Sequence, residues 1–485
     1  MYRTIITFYK KGFVLFNVTL FSIFFITNTF SQTFEKSHRT EEDDISYDAI
    51  SLEENFIFVV NSGNIENSNY HQKCFKLDEY GNFVDSVSIP FYGNIMVSDL
   101  SNLFKINDSI ILLINKMNNN SLQFVHLTPE LNIVYNSILD TLLDNQYFDI
   151  VYTQDSLIVC VGATEILNKF CLMETDKFGN IINYKTYESY QSGYLPSTIE
   201  YIPSRNVYHM FIYWSNDEVF YEINKETLEL DTILHYPDAF LPRNAINGFS
   251  NDRYFLAGKQ GTGTIWKLSY IEMNKFGETL MQKIFLPEHD SDVFYSYNSF
   301  DTFNNSIFYG GTYHVTYSPP FFLYPEKRWI FVSKVNANGS IIWQHFYKGD
   351  VNYMTYKVLA TSDGGALILS TKYDWNDPIP NQRDLHILKV DSTGWYEGMT
   401  TGNTEYDLPK QILVYPNPAK DKVSFVTGLY SNLELKIYNL QGSCVIKRHL
   451  PHTQTIDLSG LPPGTYIYLI TGKDGFKEKG KLIKQ

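Results

Sequence analysis

The sequence predicts an all-β protein: a seven-bladed β-propeller followed by a small immunoglobulin-like β-sandwich. Three observations favour this architecture: an apolar N-terminal leader, a hairpin motif that recurs seven times at intervals of about fifty residues, and a change of composition near residue 412. With 485 residues the chain is long enough for two or three domains. Its 44% hydrophobic and 19% charged content excludes a disordered chain and a coiled coil.

Residues 1–31 form the first predicted element, a signal peptide. Three basic residues precede the apolar run 12–27, and small or polar residues follow it up to Ser31. A membrane anchor is the alternative, but about sixteen apolar residues, interrupted by Asn17 and Thr19, fall short of the ~20 that a spanning helix needs. No later segment is long and apolar enough to span a membrane, so we expect an exported chain that is soluble after cleavage.

The second element is a repeated hairpin. An apolar strand ends in Asp or Asn, two residues follow, then usually Gly, and a second apolar strand begins. The Gly position is occupied in turn by Gly81, Leu131, Gly179, Thr227, Gly277, Gly339 and Gly394. An Asp or Asn side chain can bond its own backbone two residues on, and Gly accepts a positive φ, so both residues suit a tight hairpin. Copies two and four lack the Gly, and we expect those two hairpins to use another turn.

The same chemistry assigns Asp78, Asp176 and Asp391 to turns rather than to acid catalysis or ligand binding. A second strand precedes each hairpin by about twenty to thirty residues, and a looser strand lies before it, as at 46–51 and 355–360. Seven units of four strands predict a propeller over 45–400, because ring closure removes exposed sheet edges. A pair of β-sandwiches is the alternative, but it gives no reason for seven evenly spaced copies of one hairpin.

The hairpins resemble those of secreted bacterial repeat propellers with a D-x-x-G-N-x-x-W motif. Residues 334–343 match that motif best, and the glycine-containing strand 363–370 follows nineteen residues later. Paired glycines typical of kelch-like propellers occur only at 310–311 and 364–365. The resemblance covers most of 45–400 and implies a secreted propeller.

After a polar linker, 401–411, residues 412–485 form a separate predicted module. Turn signals at Gly442, Gly464 and Gly475 alternate with short apolar strands, as expected for a small sandwich near the lower size limit of an independent core. Two prolines in the segment YPNP, at Pro416 and Pro418, cannot donate backbone hydrogen bonds and suit the entry to an edge strand. The lysine-rich end either offers charge to a partner or protects an exposed edge strand.

Four blocks of this module, at 412–423, 435–445, 456–470 and 481–484, resemble the type A C-terminal sorting domain of the type IX secretion system of Bacteroidetes. The resemblance implies recognition by an outer-membrane translocon and delivery to the cell surface or the medium, through the periplasm and the outer membrane. It also implies that Cys444 is a buried small hydrophobe. The residues that carry the predicted sorting signal are Tyr415, Pro416, Asn417, Pro418, Gly442, Pro463, Gly464, Tyr466 and Lys481.

Charge excludes one class of partner. The chain carries 39 Lys and Arg against 53 Asp and Glu, a net charge of −14. The leader and residues 412–485 are both basic, by three and five charges, which leaves −22 on the middle of the chain, residues 32–411. Nucleic acids and anionic lipids require an excess of Lys and Arg, so the propeller is not expected to bind them.

Motifs for catalysis and metal binding are missing from the sequence. We find no H-E-x-x-H, G-x-S-x-G, P-loop or zinc-type Cys spacing. Acid pairs at Asp290 and Asp292 and at Asp374 and Asp377 leave loop calcium open, although such pairs usually serve turns. Cys160 and Cys171 lie on neighbouring predicted strands, and free buried thiols are preferred there over a disulfide.

Two insertions depart from the repeat, at 312–328 and 372–383, each between the second and third strands of its unit. They should open side by side on one face and form an aromatic rim that stacks on sugar rings or on a protein surface. Its predicted residues are Tyr313, Tyr317, Phe321, Phe322, Tyr324 and Trp375. We therefore expect a non-catalytic binding or adhesion module. The alternatives are a spacer, or a polysaccharide hydrolase or lyase with at least two carboxylates converging in the central channel.

Overall fold

The computed structural model describes residues 32–40, 42–53, 55–64, 69–90, 101–117, 120–140, 146–163, 169–188, 195–214, 217–236, 240–250, 252–262, 265–285, 299–313, 328–347, 351–374, 382–397, 399, 412–426, 433–451, 454–472 and 477–485. Every regular element in these ranges is a β-strand. The strands form seven four-stranded sheets between residues 34 and 390 and two further sheets between 413 and 484.

The seven sheets are the blades of a propeller, numbered here along the chain with the innermost strand first. Blades 1 to 4 are, in order, β2 (Asp43–Leu52), β3 (Asn55–Asn64), β4 (Asn69–Asp78) and β5 (Phe83–Ile89); β6 (Ser101–Asn107), β7 (Ile110–Lys116), β8 (Leu122–Leu127) and β9 (Ile133–Leu139); β10 (Gln146–Tyr152), β11 (Ile158–Ala163), β12 (Lys169–Thr175) and β13 (Ile181–Glu188); and β14 (Leu195–Ile202), β15 (Val207–Trp214), β16 (Asp217–Asn224) and β17 (Leu230–Tyr236). Blades 5 to 7 are β18 (Phe240–Asn247), β19 (Arg253–Thr262), β20 (Ile265–Asn274) and β21 (Thr279–Phe285); β22 (Phe300–Phe303), β23 (Ser306–Tyr313), β24 (Trp329–Asn336) and β25 (Ile341–Tyr347); and β26 (Asn352–Ala360), β27 (Ala366–Tyr373), β28 (Arg383–Val390) and β1 (Phe34–His38).

The N-terminal strand closes the ring. β1 pairs antiparallel with β28, with Phe34 opposite Lys389, so blade 7 takes its outer strand from the start of the chain. Next to this closure the buried guanidinium of Arg383 bonds the carboxylate of Asp43 on β2. The predicted start of the propeller at residue 45 is therefore too late, because β1 precedes it and was not visible as part of any repeat.

Each pair of neighbouring blades shares one hydrophobic cluster, and blades 7 and 1 share the seventh. The second and third strands supply most of it; all six residues of β8 and all six of β11 are buried. Seven blade-to-blade cores in a closed series confirm the predicted β-propeller and are consistent with its seven blades.

The hairpins between the third and fourth strands have the predicted chemistry. Asp78 accepts hydrogen bonds from the backbone N–H groups of Tyr80 and Asn82, at 3.0 and 2.8 Å, and Gly81 has a φ of +79°. Asp176 and Asp391 accept the equivalent bonds, which confirms their assignment to turns.

The expectation for copies two and four was wrong in one case. Leu131 occupies the Gly position of an unchanged turn, with φ +60° and the same two backbone hydrogen bonds. In copy four the turn is one residue longer, and Leu228, not Thr227, takes the positive φ of +53°. Both leucines are buried against the preceding blade, and this burial offsets the cost of the left-handed backbone.

Residues 413–484 form a two-sheet sandwich. One sheet has the order β29 (Leu413–Tyr415), β30 (Lys422–Val426) and β33 (Gln454–Asp457), and the other has the order β32 (Cys444–Leu450), β31 (Leu433–Tyr438), β34 (Gly464–Thr471) and β35 (Lys477–Lys484). Fourteen buried side chains from both sheets make one core, which is consistent with the predicted immunoglobulin-like module.

Candidate functional site

The seven inner strands surround a cavity of about 260 Å³ on the propeller axis. Its walls include Asp48, Asn102, Asp149, Asp301 and Lys357, each from a different blade, together with apolar side chains further along the same strands. The hydrolase or lyase alternative requires at least two carboxylates that converge in this channel.

A β-bulge recurs in the inner strands and is followed by a polar residue. Six of them contain a one-residue bulge, and the residue that follows the bulge is polar in every case: Asp48, Asn107, Asp149, Thr198, Asn244 and Lys357. A bulge re-aims the next side chain of a strand. Asp48, Asp149 and Lys357 of these six residues line the cavity.

Asp48 joins three blades. Its Oδ2 atom accepts a hydrogen bond from the backbone N–H of Leu103 in blade 2, at 2.8 Å, and its Oδ1 atom lies 2.9 Å from Nζ of Lys357 in blade 7. Burial acts to lower the pKa of Lys357, but Asp48 and then Asp301 outweigh it and raise that pKa above its ordinary value. Lys357 is therefore positively charged at neutral pH.

Asp301 repeats the connection between blades 6 and 7. Its two carboxylate oxygens accept hydrogen bonds from the backbone N–H groups of Thr302 and Ala360, both at 2.8 Å. Burial raises its pKa, and the charge of Lys357 opposes that rise. Like Asp48, the Asp301 carboxylate is a clamp, because it bonds its own inner strand to the inner strand of the next blade.

Asp149 clamps blade 3 to blade 4. Its Oδ2 atom accepts hydrogen bonds from Thr198 Oγ1 and from the Ile199 N–H, at 2.7 and 3.0 Å. Burial raises the pKa of Asp149 to about 6 against these bonds. Glu200, one residue further on β14, is also buried; desolvation, and next the charge of Asp149, raise its pKa to about 8. Glu200 is therefore mostly protonated at neutral pH.

No motif in the sequence marks these residues as a site. An available signal was an aromatic residue followed by Asp in the first strand of units one, three and six, at 47–48, 148–149 and 300–301. Within the described ranges, no group of three or more His, Cys, Asp or Glu side chains is placed to hold a metal ion. The acids Asp290, Asp292 and Asp377 lie outside those ranges, and Asp374 lies inside them.

Of the predicted aromatic rim, the structure describes only Tyr313. It is buried in the core between blades 5 and 6, with its ring 5.7 Å from that of Trp329 and 4.8 Å from that of Phe346. Its inclusion in an exposed rim was wrong, because it is the last residue of β23 and not part of the inserted loop. Tyr317, Phe321, Phe322, Tyr324 and Trp375 lie outside the described residues.

The predicted sorting residues are all described. Tyr415 to Pro418 are mostly exposed, and the Asn417 amide bonds the backbone of β35 at Lys481 O and Ile483 N, at 2.7 and 2.9 Å. Ala419 forms a parallel bridge to Lys484. The YPNP segment therefore lies along the outer edge of β35, as expected for residues at an edge strand.

The other sorting residues differ in burial. Gly442 lies in an exposed turn, and the Tyr466 ring is buried with its hydroxyl donating to Pro462 O at 2.8 Å. The remaining residues of the set, Pro463, Gly464 and Lys481, are exposed.

All four cysteines are free. Cys160 and Cys171 are buried between blades 2 and 3, where Cys160 pairs in register with Met173 and not with Cys171, and burial raises the pKa of Cys171 to about 12. Cys444 is exposed, which corrects the expected buried position. A bulge shifts the register of the pairing between β31 and β32 at Ile437 and Tyr438. This shift leaves the Cys444 thiol outside the core.

Residues 413–485 match the family described as "Secretion system C-terminal sorting domain". The C-terminal sandwich is a sorting domain. The protein is thus a propeller exported by the type IX secretion system to the cell surface or the extracellular space. Among the described residues, no helix is long and apolar enough to cross a membrane.

Several solved structures are similar to the chain. The β-propeller domain of the Trilobed protease from Pyrococcus furiosus is 11% identical, with 74% of this chain and 98% of that chain covered and a TM-score of 0.42. The acylaminoacyl peptidase of Pyrococcus horikoshii is 11% identical, with 79% and 57% covered and a TM-score of 0.43. The Dos1 propeller is 11% identical, with 74% and 95% covered and a TM-score of 0.40. No curated protein matches the chain.

Proposed function

We propose that the exported propeller is a non-catalytic module that binds polysaccharide or protein at the cell surface. One observation carries this proposal: Asp48, Asp149 and Asp301 in the channel accept backbone N–H groups of the next blade. Because each of these carboxylates holds two inner strands together, a structural role explains its position in the channel without any role in catalysis.

A hydrolase or lyase is the second candidate. Asp149 and Glu200 are neighbouring buried carboxyl groups whose pKa values are raised to about 6 and about 8, and such a pair can supply an acid and a base. However, Asp149 Oδ2 already accepts two hydrogen bonds, and the Glu200 side chain is buried. Substrate would have to break the clamp between blades 3 and 4 to reach either group.

The binding surface that we propose is the face with the two insertions, at Tyr317, Phe321, Phe322, Tyr324 and Trp375. These residues remain a prediction from the sequence. In each blade the end of strand two and the start of strand three lie opposite the hairpin between strands three and four, so that hairpin supplies a control surface. Tyr80, at the hairpin of blade 1, is 53% exposed and suits this use.

The test uses chain 32–485 and purified cell-surface polysaccharide. We expect co-sedimentation without any shortening of the polysaccharide, and at least about tenfold weaker binding when Tyr317, Phe322 and Trp375 are all replaced by Ala. Tyr80→Ala should bind like the parent chain. Equal binding by the triple variant would contradict the proposed face, and shortening that stops in Asp149→Asn would establish the enzyme instead.

A further inference from the structure

Strand β34, one of the two central strands in the larger sheet of the sorting domain, is apolar on both of its faces. Tyr466, Tyr468 and Ile470 are buried in the core of the sandwich. Ile467 and Leu469 alternate with them on the outer face, where Ile467 is 40% exposed. An antiparallel sheet with one face in water normally alternates apolar residues inside with polar residues outside. The outer face at β34 therefore has the composition of a covered surface.

Lysine side chains border this apolar surface, because directly paired residues of neighbouring strands lie on the same face of a sheet. Leu469 lies between Lys436 on β31 and Lys479 on β35. Ile467 has Lys481 as its partner on β35. Lysine is therefore found beside the apolar residues of β34 on both neighbouring strands.

The outer face of the larger sheet is positively charged. The lysine side chains described on this face are Lys436, Lys447, Lys479 and Lys481. Glu434 on β31 forms ion pairs with Lys436 and Lys447, with nitrogen-to-oxygen distances of 2.7 and 2.8 Å. Four lysines and one glutamate leave a charge of +3 on these side chains.

The smaller sheet of the sorting domain has a different outer face. Its strands β30 and β33 place Lys422 opposite Asp457, so these two charges cancel. The hydroxyl groups of Ser424 and Thr455 bond each other on the same face at 2.8 Å. Apolar surface and positive charge thus occur together on the larger sheet and not on these two strands of the smaller one. This asymmetry gives the domain one surface that can recognise an apolar and an anionic group at once.

An anionic lipid surface has both of these properties. Lysines near such a surface bind its phosphate groups, and apolar and tyrosine side chains enter the boundary between headgroups and acyl chains. A second copy of the domain fits less well, because it would place lysine opposite lysine. Salt screens charges beyond about 8 Å at physiological ionic strength, so the charge of −22 on residues 32–411 does not cancel the attraction at the sorting domain.

We propose that the outer face of β32, β31, β34 and β35 binds the anionic surface of a phospholipid membrane. Its lysines contact lipid phosphate groups, and Ile467, Leu469 and Tyr438 pack at the boundary with the acyl chains. The acidic propeller is repelled by the same surface and faces away from it. Because this contact uses a different domain from the surface-binding role proposed for the propeller, either proposal can fail alone.

Co-sedimentation of chain 32–485 with lipid vesicles tests the proposal. Vesicles of phosphatidylcholine with about 30% phosphatidylglycerol should bind the chain at least about tenfold more tightly than pure phosphatidylcholine vesicles at about 50 mM KCl. Raising KCl to about 500 mM should release most of the bound chain. Absence of binding to the anionic vesicles, or equal binding to both kinds of vesicle, would overturn the proposal. Tighter binding to poly-L-glutamate than to the anionic vesicles would also overturn it, since the face would then fit an acidic protein.

Two matched variants locate the contact, and a third tests its apolar part. Lys481→Gln removes one exposed charge from the outer face of the larger sheet and should weaken binding to the anionic vesicles about fivefold. Lys422→Gln removes one exposed charge from the smaller sheet and should bind like the parent chain. Ile467→Ser changes a side chain outside the core, so it should stay folded by circular dichroism and bind at least about fivefold more weakly. Equal losses in the two lysine variants, or parent-like binding by both Lys481→Gln and Ile467→Ser, would refute this face.

Discussion

The propeller and the sorting domain contain the same turn in two different surroundings. In blade 7, Gly394 has a φ of +80° and donates its N–H to Asp391 O; in the sorting domain, Gly442 has a φ of +81° and donates its N–H to Asn439 O. A Cβ atom at Gly394 would lie 2.4 Å from the His345 ring and 2.9 Å from the Trp343 ring of blade 6. A Cβ atom at Gly442 would meet nothing within 4 Å.

The comparison shows that the same turn closes a hairpin in both domains and has a second role in the propeller. In both domains the Asp or Asn and the Gly close a hairpin. In the propeller the turn also docks on the preceding blade: Trp343 Nε1 donates to Ser392 O at 2.9 Å, and the Tyr347 hydroxyl donates to Gly394 O at 2.8 Å. Similar bonds from His126 and Tyr135 hold the turn of blade 3. The repeated hairpin is therefore a blade-to-blade connector.

Gly394→Ala should have the largest effect. The positive φ costs about 1–2 kcal/mol and the overlap with the His345 and Trp343 rings about 1–3 kcal/mol more, whereas Gly442→Ala has only the first cost. All six tryptophans precede residue 412, so tryptophan fluorescence in urea reports the propeller, and circular dichroism adds the unfolding of the sorting domain to that of the propeller. Gly339→Ala, which faces the flexible Met281 side chain, should fall between the two. Equal losses for Gly394→Ala and Gly442→Ala would refute the docking role.

The two domains should respond to pH in opposite directions. Burial raises the pKa of Glu200 from 4.5 to about 8, so the folded propeller binds a proton that the unfolded chain has lost, and its stability falls as pH rises from about 4.5 to about 8. In the sorting domain, bonds from Lys436 and Lys447 lower the pKa of Glu434 to about 2, so the stabilisation from Glu434 is lost as pH falls below about 4.5.

Glu200→Gln tests the propeller half of this contrast. The neutral amide should raise the free energy of unfolding at pH 8 by about 2 kcal/mol and flatten its dependence on pH, leaving the smaller contribution of Asp149. Urea midpoints from tryptophan fluorescence between pH 5 and pH 8 measure the slope. An unchanged slope in the variant would show that Glu200 is not the group responsible.

Leu131→Gly should have the smallest effect. Glycine relieves about 1–2 kcal/mol of left-handed strain but forfeits about 1.5–3 kcal/mol of burial, so we expect a net loss of about 1 kcal/mol in the urea titration. Leu228→Gly in blade 4 is the matched change and should behave alike. A gain in stability from either variant would mean that strain, and not burial, decides these turns.

Much of the architecture was predictable because its signals are local. The seven hairpins, the turn role of Asp78 and the sorting domain all depend on residues close together in the sequence. The clamps at Asp48 and Asp149 escaped prediction because each bonds a strand about fifty residues away and depends on a bulge. Tyr313 was misplaced since the end of β23 could not be distinguished from the start of the inserted loop.

The sequence by itself determined the number of blades, the turn chemistry and the route of export. Each of these depends on short motifs whose residues lie close together in the chain and do not require contacts with distant segments. Only the tertiary structure decided how the ring closes and what the channel contains. β1 meets β28 across some 350 residues, and the channel collects side chains from all seven inner strands. Burial then sets the charge state of Asp149 and Glu200, which depends on neighbours contributed by separate blades and not by any one segment.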